Sequence, residues 1–320
     1  MRVVVVGCGA WGANLVRACA ELGVLGAVVD DDPATAQGQS AAWDVPALPL
    51  TQALEDPGLG AVIVATPAQT HAAVCRQALD HGKDVFVEKP LAFELAEAEA
   101  LARDVRRTDR VFMIGHLLRH HPAFEALLAR VAGGDVGTVR HVSASRLNLG
   151  RVRPHENAFL SLSPHDVSMI LAVVGEEPDR VNAVGRAFIT PGVADEVHAD
   201  FGFPGGAHAH IAASWINPFK EQRLVVIGDA GALVFDDTRP WTEKLSWRRQ
   251  AVTMTAAGPV ATGAAPDFID LIPEPPLTRE IRRFVECCET RNAPLTGIDE
   301  ALRVQRVLER VQFLLKAPLT

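Results

Sequence analysis

Residues Val3 to Asp30 read VVVVGCGAWGANLVRACAELGVLGAVVD, and their order decides the fold. Four β-branched residues, Val3 to Val6, run into Gly7-Cys8-Gly9-Ala10-Trp11-Gly12, after which Leu15, Ala18, Cys19 and Leu22 recur at helical spacing. The pattern predicts strand, glycine turn, helix. In that setting Gly7 makes the tight turn, Gly9 lets a pyrophosphate approach the backbone, and Gly12 lets the helix pack on the strand. The helix start, with Ala10 and Trp11 in the turn before it, presents N–H groups to the anion. A second apolar run, Leu25 to Val29, ends at Asp30, 18 positions after Gly12, where a carboxylate can accept hydrogen bonds from an adenosine ribose. Asp31 and Asp32 follow it. Three carboxylates at short range repel a 2'-phosphate, which favours NAD over NADP.

The chain has 320 residues, 48% of them hydrophobic, and a mean hydropathy of +0.12, enough for the cores of about two domains. Its charge, 31 − 39 = −8, comes without a Lys/Arg run, so a nucleic-acid arm or polybasic membrane anchor is not expected and a small-molecule partner is. The opening apolar run is four residues long and Asn14, Arg17 and Glu21 soon follow, so no signal peptide is read and a cytoplasmic protein is expected. No apolar run approaches the roughly 18 residues of a membrane span. Cys8, Cys19, Cys75, Cys287 and Cys288 lack C-x-x-C spacing, which argues for buried thiols and against disulfides or a bound metal. There is no tyrosine. The Tyr/Lys mechanism of short-chain dehydrogenases is therefore excluded, and acid/base work falls to His, Lys or a carboxylate.

Beyond Asp30, Asp32 as cap and Pro33 in the first turn predict a helix to Ala42, and the stretch to Leu59 is indistinct. Ala61 to Ala65 reads as a buried parallel strand stopped by Thr66-Pro67. Ligands of open α/β sheets sit at the carboxyl ends of strands, so Thr66, Pro67 and His71 are candidates to line the cofactor, with helix capping by Thr66 or Thr70 as the alternative. A helix from His71 to His81 precedes the strand Val85 to Val87, which runs into Glu88-Lys89-Pro90. By composition alone that charged pair reads as surface. Helix 94–107 and strand Val111 to Ile114, ending at Gly115-His116, complete a nucleotide-binding domain of residues 1–118 with roughly six strands. Residues 119–320 form the second domain of this α/β protein, for substrate and oligomerisation, in which helices become sparse and period-two strands build a large, mostly antiparallel open sheet. Val197, Ala199, Phe201 and Phe203 share one face, as do Ala207, Ala209, Ile211, Ala213 and Trp215. Pro204-Gly205-Gly206 and Gly228-Asp229-Ala230-Gly231 make hairpins. The second face carries His198, His208, His210 and Ser214, solvated or packed on another subunit, and a homodimer or homotetramer is expected. Residues 256–276, rich in Ala, Gly and Pro, read as a loop. Ile281, Phe284, Val285 and Cys288, then Val304, Val307, Leu308, Val311, Leu314 and Leu315, mark two closing helices.

GCGAWGANLVR, VATPAQTH, VEKPLA, GHLLRHHPAF and SWINPFKEQRLVVIGDAGALVFDD together resemble the Gfo/Idh/MocA oxidoreductases along the full length. The Glu88-Lys89-Pro90 tripeptide is the most specific of these pieces. The resemblance implies an active-site Lys89 near nicotinamide and sugar, Glu88 close to the ribose, His116 among the cofactor contacts, and a cis or tightly turned Lys89-Pro90 bond. The family's D-x-G-x-H-x-x-D motif falls on Ser161 to Ser168, where His165 stands but both acids are serine. That departure weakens an acid relay, although Asp166 could orient His165. NAFLSLSPHDVS, GHLLRHHPAF and RLNLGRVR resemble the nucleotide-sugar branch, which oxidises the 3-hydroxyl of UDP-N-acetylglucosamine or its uronic acid ahead of an aminotransferase, toward diamino sugars of lipid A or surface polysaccharide.

Arg146, Arg151 and Arg153 place three guanidinium groups in eight residues, with Asn148 among them. A diphosphate suits such forks, and a solvated loop is the alternative. Arg119, His120, His121 and Asn157 are further candidates for the same substrate site. The expected activity is NAD-dependent oxidation of a UDP-sugar, with His165 taking the hydroxyl proton and Lys89 holding the oxygen, or the reverse. Other expectations that the residues leave open are a 3-keto-sugar reductase, an inositol-type polyol dehydrogenase and an NAD-sensing regulator.

Overall fold

The computed structural model describes residues 1–316, and two compact units divide them: 1–120 with 274–306, and 121–273 with 307–316. In the first unit β1 (Val3–Val6) leads through α1 (Gly12–Glu21) to β2 (Leu25–Val29), α2 (Pro33–Trp43) and α3 (Leu50–Glu55). Then come β3 (Ala61–Val64), α4 (His71–Asp80), β4 (Asp84–Glu88), α5 (Leu95–Val105) and β5 (Phe112–Gly115). The strands form one parallel sheet in the order β2-β1-β3-β4-β5. It has five strands where roughly six were expected, and α3 fills the stretch whose sequence showed no clear period.

Strand alternation feeds two cores. Val4, Val6, Val62, Val64, Val85 and Val87 join the core on one face, while Val3, Val5, Ala61, Ile63 and Phe86 join the core on the other. Both faces are covered, so every residue of β1 is buried and the strand is apolar throughout.

The second unit opens with α6 (Pro122–Ala132) and the long β6 (Val139–Leu149), followed by α7 (Ala158–Leu162) and α8 (Pro164–Val174). β7 (Arg180–Arg186), β8 (Glu196–Gly202), β9 (His208–Ser214), β10 (Ile216–Gly228), β11 (Gly231–Asp236), β12 (Leu245–Thr255), β13 (Gly258–Gly263) and β14 (Asp267–Phe268) follow. They build a nine-stranded sheet, β13-β12-β11-β10-β6-β9-β8-β7, with β14 beside β12 and β6–β9 as a parallel pair in an otherwise antiparallel order. Both predicted hairpins form, and the two predicted apolar rows, Val197 to Phe203 and Ala207 to Trp215, are buried. On the other face the rings of His198 and His210 stack at 5.7 Å, and each contacts an acid, Glu196 and Asp200. Ser214 of that row is buried.

Three expectations need correction. Residues 256–276 are not one loop: Ala256-Ala257, followed by Gly258 at φ 115°, turns the chain into β13, and β14 follows. Helices are not sparse after residue 118, since α6 and α8 are each 11 residues long. The second domain is not the whole of 119–320, because α9 (Pro276–Thr290) returns to the first unit, where Ile281, Phe284, Val285 and Cys288 complete the core on β1 and β3. α10 (Ile298–Lys316) gives Ile298, Ala301 and Leu302 to the first unit's other core.

One buried carboxylate anchors the β8–β9 region. Asp195 is fully buried and accepts from Trp215 Nε1 at 2.6 Å and from the N–H groups of Phe188 and Ile189 at 2.6 and 2.8 Å. Burial alone would raise its carboxyl, but the Trp215, Ile189 and Phe188 donors outweigh it and hold the group below the ordinary aspartate range. A folded-state value depressed below the unfolded one gives stability that is present above about pH 4 and lost as pH falls through the folded value. Asp195→Asn puts an amide N–H₂ among three donors and is expected to lower stability by about 1–3 kcal/mol. Denaturant melts of both proteins from neutral to acid pH check this: the gap should close in acid, and a gap independent of pH would remove the carboxylate from the account.

Candidate functional site

The glycine turn lies where β1 and β3, neighbours in the sheet, diverge in chain order, the place where open α/β sheets bind ligands. Gly7 has φ 90°, and a Cβ there would lie 2.7 Å from the backbone of Ala65 and Thr66. A Cβ at Gly12 would clash with the Gly7 carbonyl, so α1 can start this close to the sheet only without a side chain. At Gly9 a Cβ would meet nothing within 4 Å. The protein itself therefore does not require glycine at position 9; an anion lying on the turn would. Trp11, the N-cap residue of α1, supplies no side-chain acceptor to the first turn; Ala13 N and Asn14 N donate to the Gly9 and Trp11 carbonyls at 2.9 Å, which leaves the N–H groups ahead of Ala13 to such an anion. The residues fit a dinucleotide.

The three acids after β2 have separate roles. Asp30 Oδ2 accepts from Cys8 N at 2.6 Å and Oδ1 from Asp32 N at 2.9 Å, so its carboxylate is fixed against the phosphate turn with lone pairs remaining for a ribose. Asp31 is exposed. Asp32 caps α2, accepting from Ala34 N, Thr35 N and Thr35 Oγ1.

Thr66 and Pro67 lie beyond β3, where Thr70 Oγ1 donates to the Thr66 hydroxyl or the Pro67 carbonyl, each at 2.8 Å. The 3-10 turn Ala68–Thr70 precedes α4, and neither threonine caps that helix. His71 is a tie between turns: its ring nitrogens lie 2.9 Å from the Thr66 carbonyl and 2.8 Å from the Pro90 carbonyl. Burial holds it below the ordinary histidine range, although both carbonyls pull the other way.

Glu88 is buried at the end of β4, against the surface placement its composition suggested, and Lys89 beside it is half-buried. Burial raises the Glu88 carboxyl against the opposing pull of the Trp11 indole, Lys89 and His116. The Lys89-Pro90 bond is cis. His116 is buried with Nδ1 2.6 Å from Glu300 Oε2, and Arg119 reaches the other oxygen of Glu300 at 3.4 Å, so both are engaged inside the first unit.

In the second unit His165 is half-buried in the first turn of α8. Asp166, next to it, is buried and takes both Nε and Nη2 of Arg146, at 2.7 and 2.8 Å. Burial works against the Arg146 charge, but Asp166 outweighs it and holds the guanidinium above its ordinary value. This corrects two expectations: Asp166 directs its carboxylate at Arg146 and not at the imidazole, and Arg146 is a buried strand residue whose fork is taken. Asn157 caps α7 through Leu160 N at 3.0 Å. Asn148 is half-buried near the end of β6, while Arg151 and Arg153 stand exposed in the loop that follows, Arg153 2.9 Å from Glu156. Lys89 and His165, the two catalytic candidates, thus lie on different units. Among the described residues no group of three or more His, Cys, Asp or Glu side chains is placed to hold a metal ion, and no helix is long and apolar enough to cross a membrane.

Sequence reasoning missed Glu280, a fully buried acid on α9. The run Thr278-Arg279-Glu280 reads as solvated, and only the apolar neighbours Ile281 and Phe284 at helical spacing hint that its side of the helix turns inward.

A family model described as the oxidoreductase family with an NAD-binding Rossmann fold matches residues 1–116, and the GFO/IDH/MocA C-terminal domain matches residues 124–234. The chain is 33% identical over 227 residues, 70% of its length and 71% of the relative's, to UDP-N-acetylglucosamine 3-dehydrogenase of Acidithiobacillus ferrooxidans. It is 28% identical over 266 residues, 79% of its length and 75% of the relative's, to scyllo-inositol 2-dehydrogenase (NAD(+)) of Bacillus subtilis. A solved structure of the Acidithiobacillus enzyme superposes with a TM-score of 0.86, at 26% identity, over 99% of this chain and 98% of that one.

The glycines separate fold from ligand. Gly7→Ala should lower the melting temperature, because the residue is held at positive φ with backbone in its way. Gly9→Ala should leave stability within about 0.5 kcal/mol yet weaken NAD binding at least severalfold. Thermal melts with calorimetric NAD titration check both. Unchanged affinity in Gly9→Ala would mean that no phosphate lies on that turn.

Proposed function

Because the chain belongs to the GFO/IDH/MocA oxidoreductase family, we propose that it oxidises the 3-hydroxyl of a UDP-N-acetylglucosamine-type sugar to the 3-keto sugar with NAD. Family and relatives make it an NAD-dependent oxidoreductase of sugar or polyol hydroxyls; the substrate and the residue roles are our reading. What carries it is the loop after β6, whose exposed Arg151 and Arg153 offer a diphosphate two guanidinium forks, in a chain 33% identical to a UDP-N-acetylglucosamine 3-dehydrogenase. Asp30, Asp31 and Asp32 favour NAD over NADP by repelling a 2'-phosphate.

In this reading the cofactor supplies the hydride acceptor. His165 takes the hydroxyl proton as the C3 hydrogen leaves, and Lys89 holds the oxygen and stabilises the charge that develops on it. A free alkoxide never forms, since proton and hydride depart together. A ketone product calls for an amine-transferring enzyme next.

Incubation with NAD and a panel of UDP-N-acetylglucosamine, its uronic acid, myo-inositol and scyllo-inositol tests the substrate. A UDP-sugar should be turned over, and Arg151→Ala with Arg153→Ala should raise its KM about tenfold or more. Turnover of inositols alone would replace the reading with a polyol dehydrogenase, the activity that the Bacillus relative's name describes. NAD binding without oxidation of any sugar would favour an NAD-sensing regulator.

His165→Asn and Lys89→Met should each lower kcat by about 10²-fold or more with NAD affinity little changed. The double variant should be little worse than the worse single, as for groups acting as a unit. A single variant within a few fold of the parent would remove that residue from the mechanism.

A further inference from the structure

Glu280 is fully buried in the first unit, and among the described residues neither of its carboxyl oxygens has a hydrogen-bond partner. A ring contact between β4 and α9 brings its helix to the strand that carries Glu88. Phe86 and Glu88 lie two apart on β4 and share a face; Phe284 and Glu280 lie four apart on α9 and share a side of the helix. The rings of Phe86 and Phe284 meet edge to face with centroids 5.7 Å apart. Glu280 lies one helical turn back along α9 from Phe284 and Glu88 one strand repeat forward from Phe86, and the charge of Glu88 acts to raise the Glu280 carboxyl.

The surroundings of the two acids differ. Glu88 accepts from the Trp11 indole and from Lys89 N at 3.3 Å, with Lys89 and His116 as nearby positive or protonatable groups. Glu280 has none of these. The cations on and around α9 act elsewhere: Arg17 of α1 is exposed and 3.9 Å from Glu21, Arg119 of the 3-10 turn after β5 reaches Glu300, and Arg283, three residues on from Glu280, acts on His120. Burial, with Arg283 and Arg119 nearby, keeps His120 of that turn uncharged down to about 3. On α9 itself Arg279 pairs with Glu274 at 2.7 Å. An ionised carboxylate without water or donor is far costlier than a neutral acid, so such a group keeps its proton. Burial pushes both carboxyls up, Glu280 well above the ordinary glutamate range with Glu88 adding to it.

We propose that Glu88 and Glu280 hold one proton between them, resident on Glu280, and that Glu280 is thereby a positioning residue that leaves Glu88 a single, oriented negative charge toward Trp11 and Lys89. The pair resembles in principle other carboxyl couples whose environments drive two acids into different protonation states. It stands whichever sugar is oxidised, so failure of the proposed substrate leaves it intact.

A folded-state value raised above the unfolded one, about 4.3 for glutamate, gives stability that is full below that pH and declines as pH rises toward the folded value. Glu280→Gln mimics the protonated acid and avoids the decline. Its melting temperature should match the parent near about pH 5 and exceed it by a growing margin toward about pH 9; parallel curves would overturn the proposal. Infrared spectra in D₂O at neutral pD should show a protonated-carboxyl C=O band in the parent that Glu280→Gln lacks. Absence of that band in the parent would overturn the proposal without any variant. Should Glu280→Gln fail to fold, Glu88→Gln serves: removing the neighbouring charge should lower the pH at which the band disappears, and no shift would refute the coupling. NAD affinity of the parent should weaken over the pH range in which the band is lost, while that of Glu280→Gln stays flat; equal profiles would refute the positioning role.

Discussion

The first unit depends on one close approach, the start of α1 against the carbonyl of Gly7, which only a residue without a side chain permits at position 12. Once α1 is seated there, its first turn lies at the carboxyl end of β1 and the remaining turns of the sheet are tied to it. Asp30 binds the end of β2 to Cys8 N. His71 joins the turns after β3 and β4 through two carbonyls, and the Trp11 indole reaches Glu88. These ties connect the phosphate turn, the ribose-side acid and the Lys89-Pro90 corner before any ligand arrives, and a preformed site spares a cofactor the entropy of ordering loops.

The second unit has a different anchor. Arg146 and Asp166 form a two-pronged buried pair between β6 and the first turn of α8. Burying two charges costs several kcal/mol per ion, so such a pair is weak support for stability and serves better as a fixed point. The carboxylate also suits the positive end of the helix. Its effect is to hold the backbone that carries His165, so in the proposed mechanism the acid beside the imidazole acts through geometry and not through a proton relay. Where the family resemblance implies acids at 161 and 168, serines stand, and Ser168 is fully buried.

Much of this was legible in the sequence for a physical reason: a sheet residue's face follows from parity. Val197 to Phe203 and Ala207 to Trp215 were assigned to a buried face by alternation alone, and all are buried. The glycine turn was legible because each glycine answers a steric demand. Long-range placement was not. The apolar stripe of α9 identified a core face but could not say which core, and it joined the first unit's. Arg146 was taken with Arg151 and Arg153 because they are close in sequence, yet strand alternation turns Arg146 inward to an acid 20 residues away. α6 carried its own signals, His121 capping through Ala123 N and Pro122 in the first turn, but the period-two strands that follow dominated the reading.

The buried polar groups of the first unit are matched at both ends of the sheet, with Glu280 the departure: His71 meets two carbonyls, and His116 and Arg119 meet Glu300. At the amino ends of the strands every such charge found is matched: Lys83 donates to the carbonyls of Asp56 and Leu59 at 2.7 Å, and Asp84 receives both Nη atoms of Arg291 and the N–H of Val111. At the carboxyl ends Glu88 is buried next to a half-buried Lys89, and neither carboxyl oxygen of Glu280 has a hydrogen-bond partner among the described residues. A fold selected only for stability would have little reason to keep an unmatched acid in its core, since a well-packed apolar residue would cost less. Sequence rules that fail locally tend to fail where a protein does its chemistry. Glu280 thus departs from the pairing found at both ends of the sheet, and under the proposal above that departure sets the charge beside Lys89.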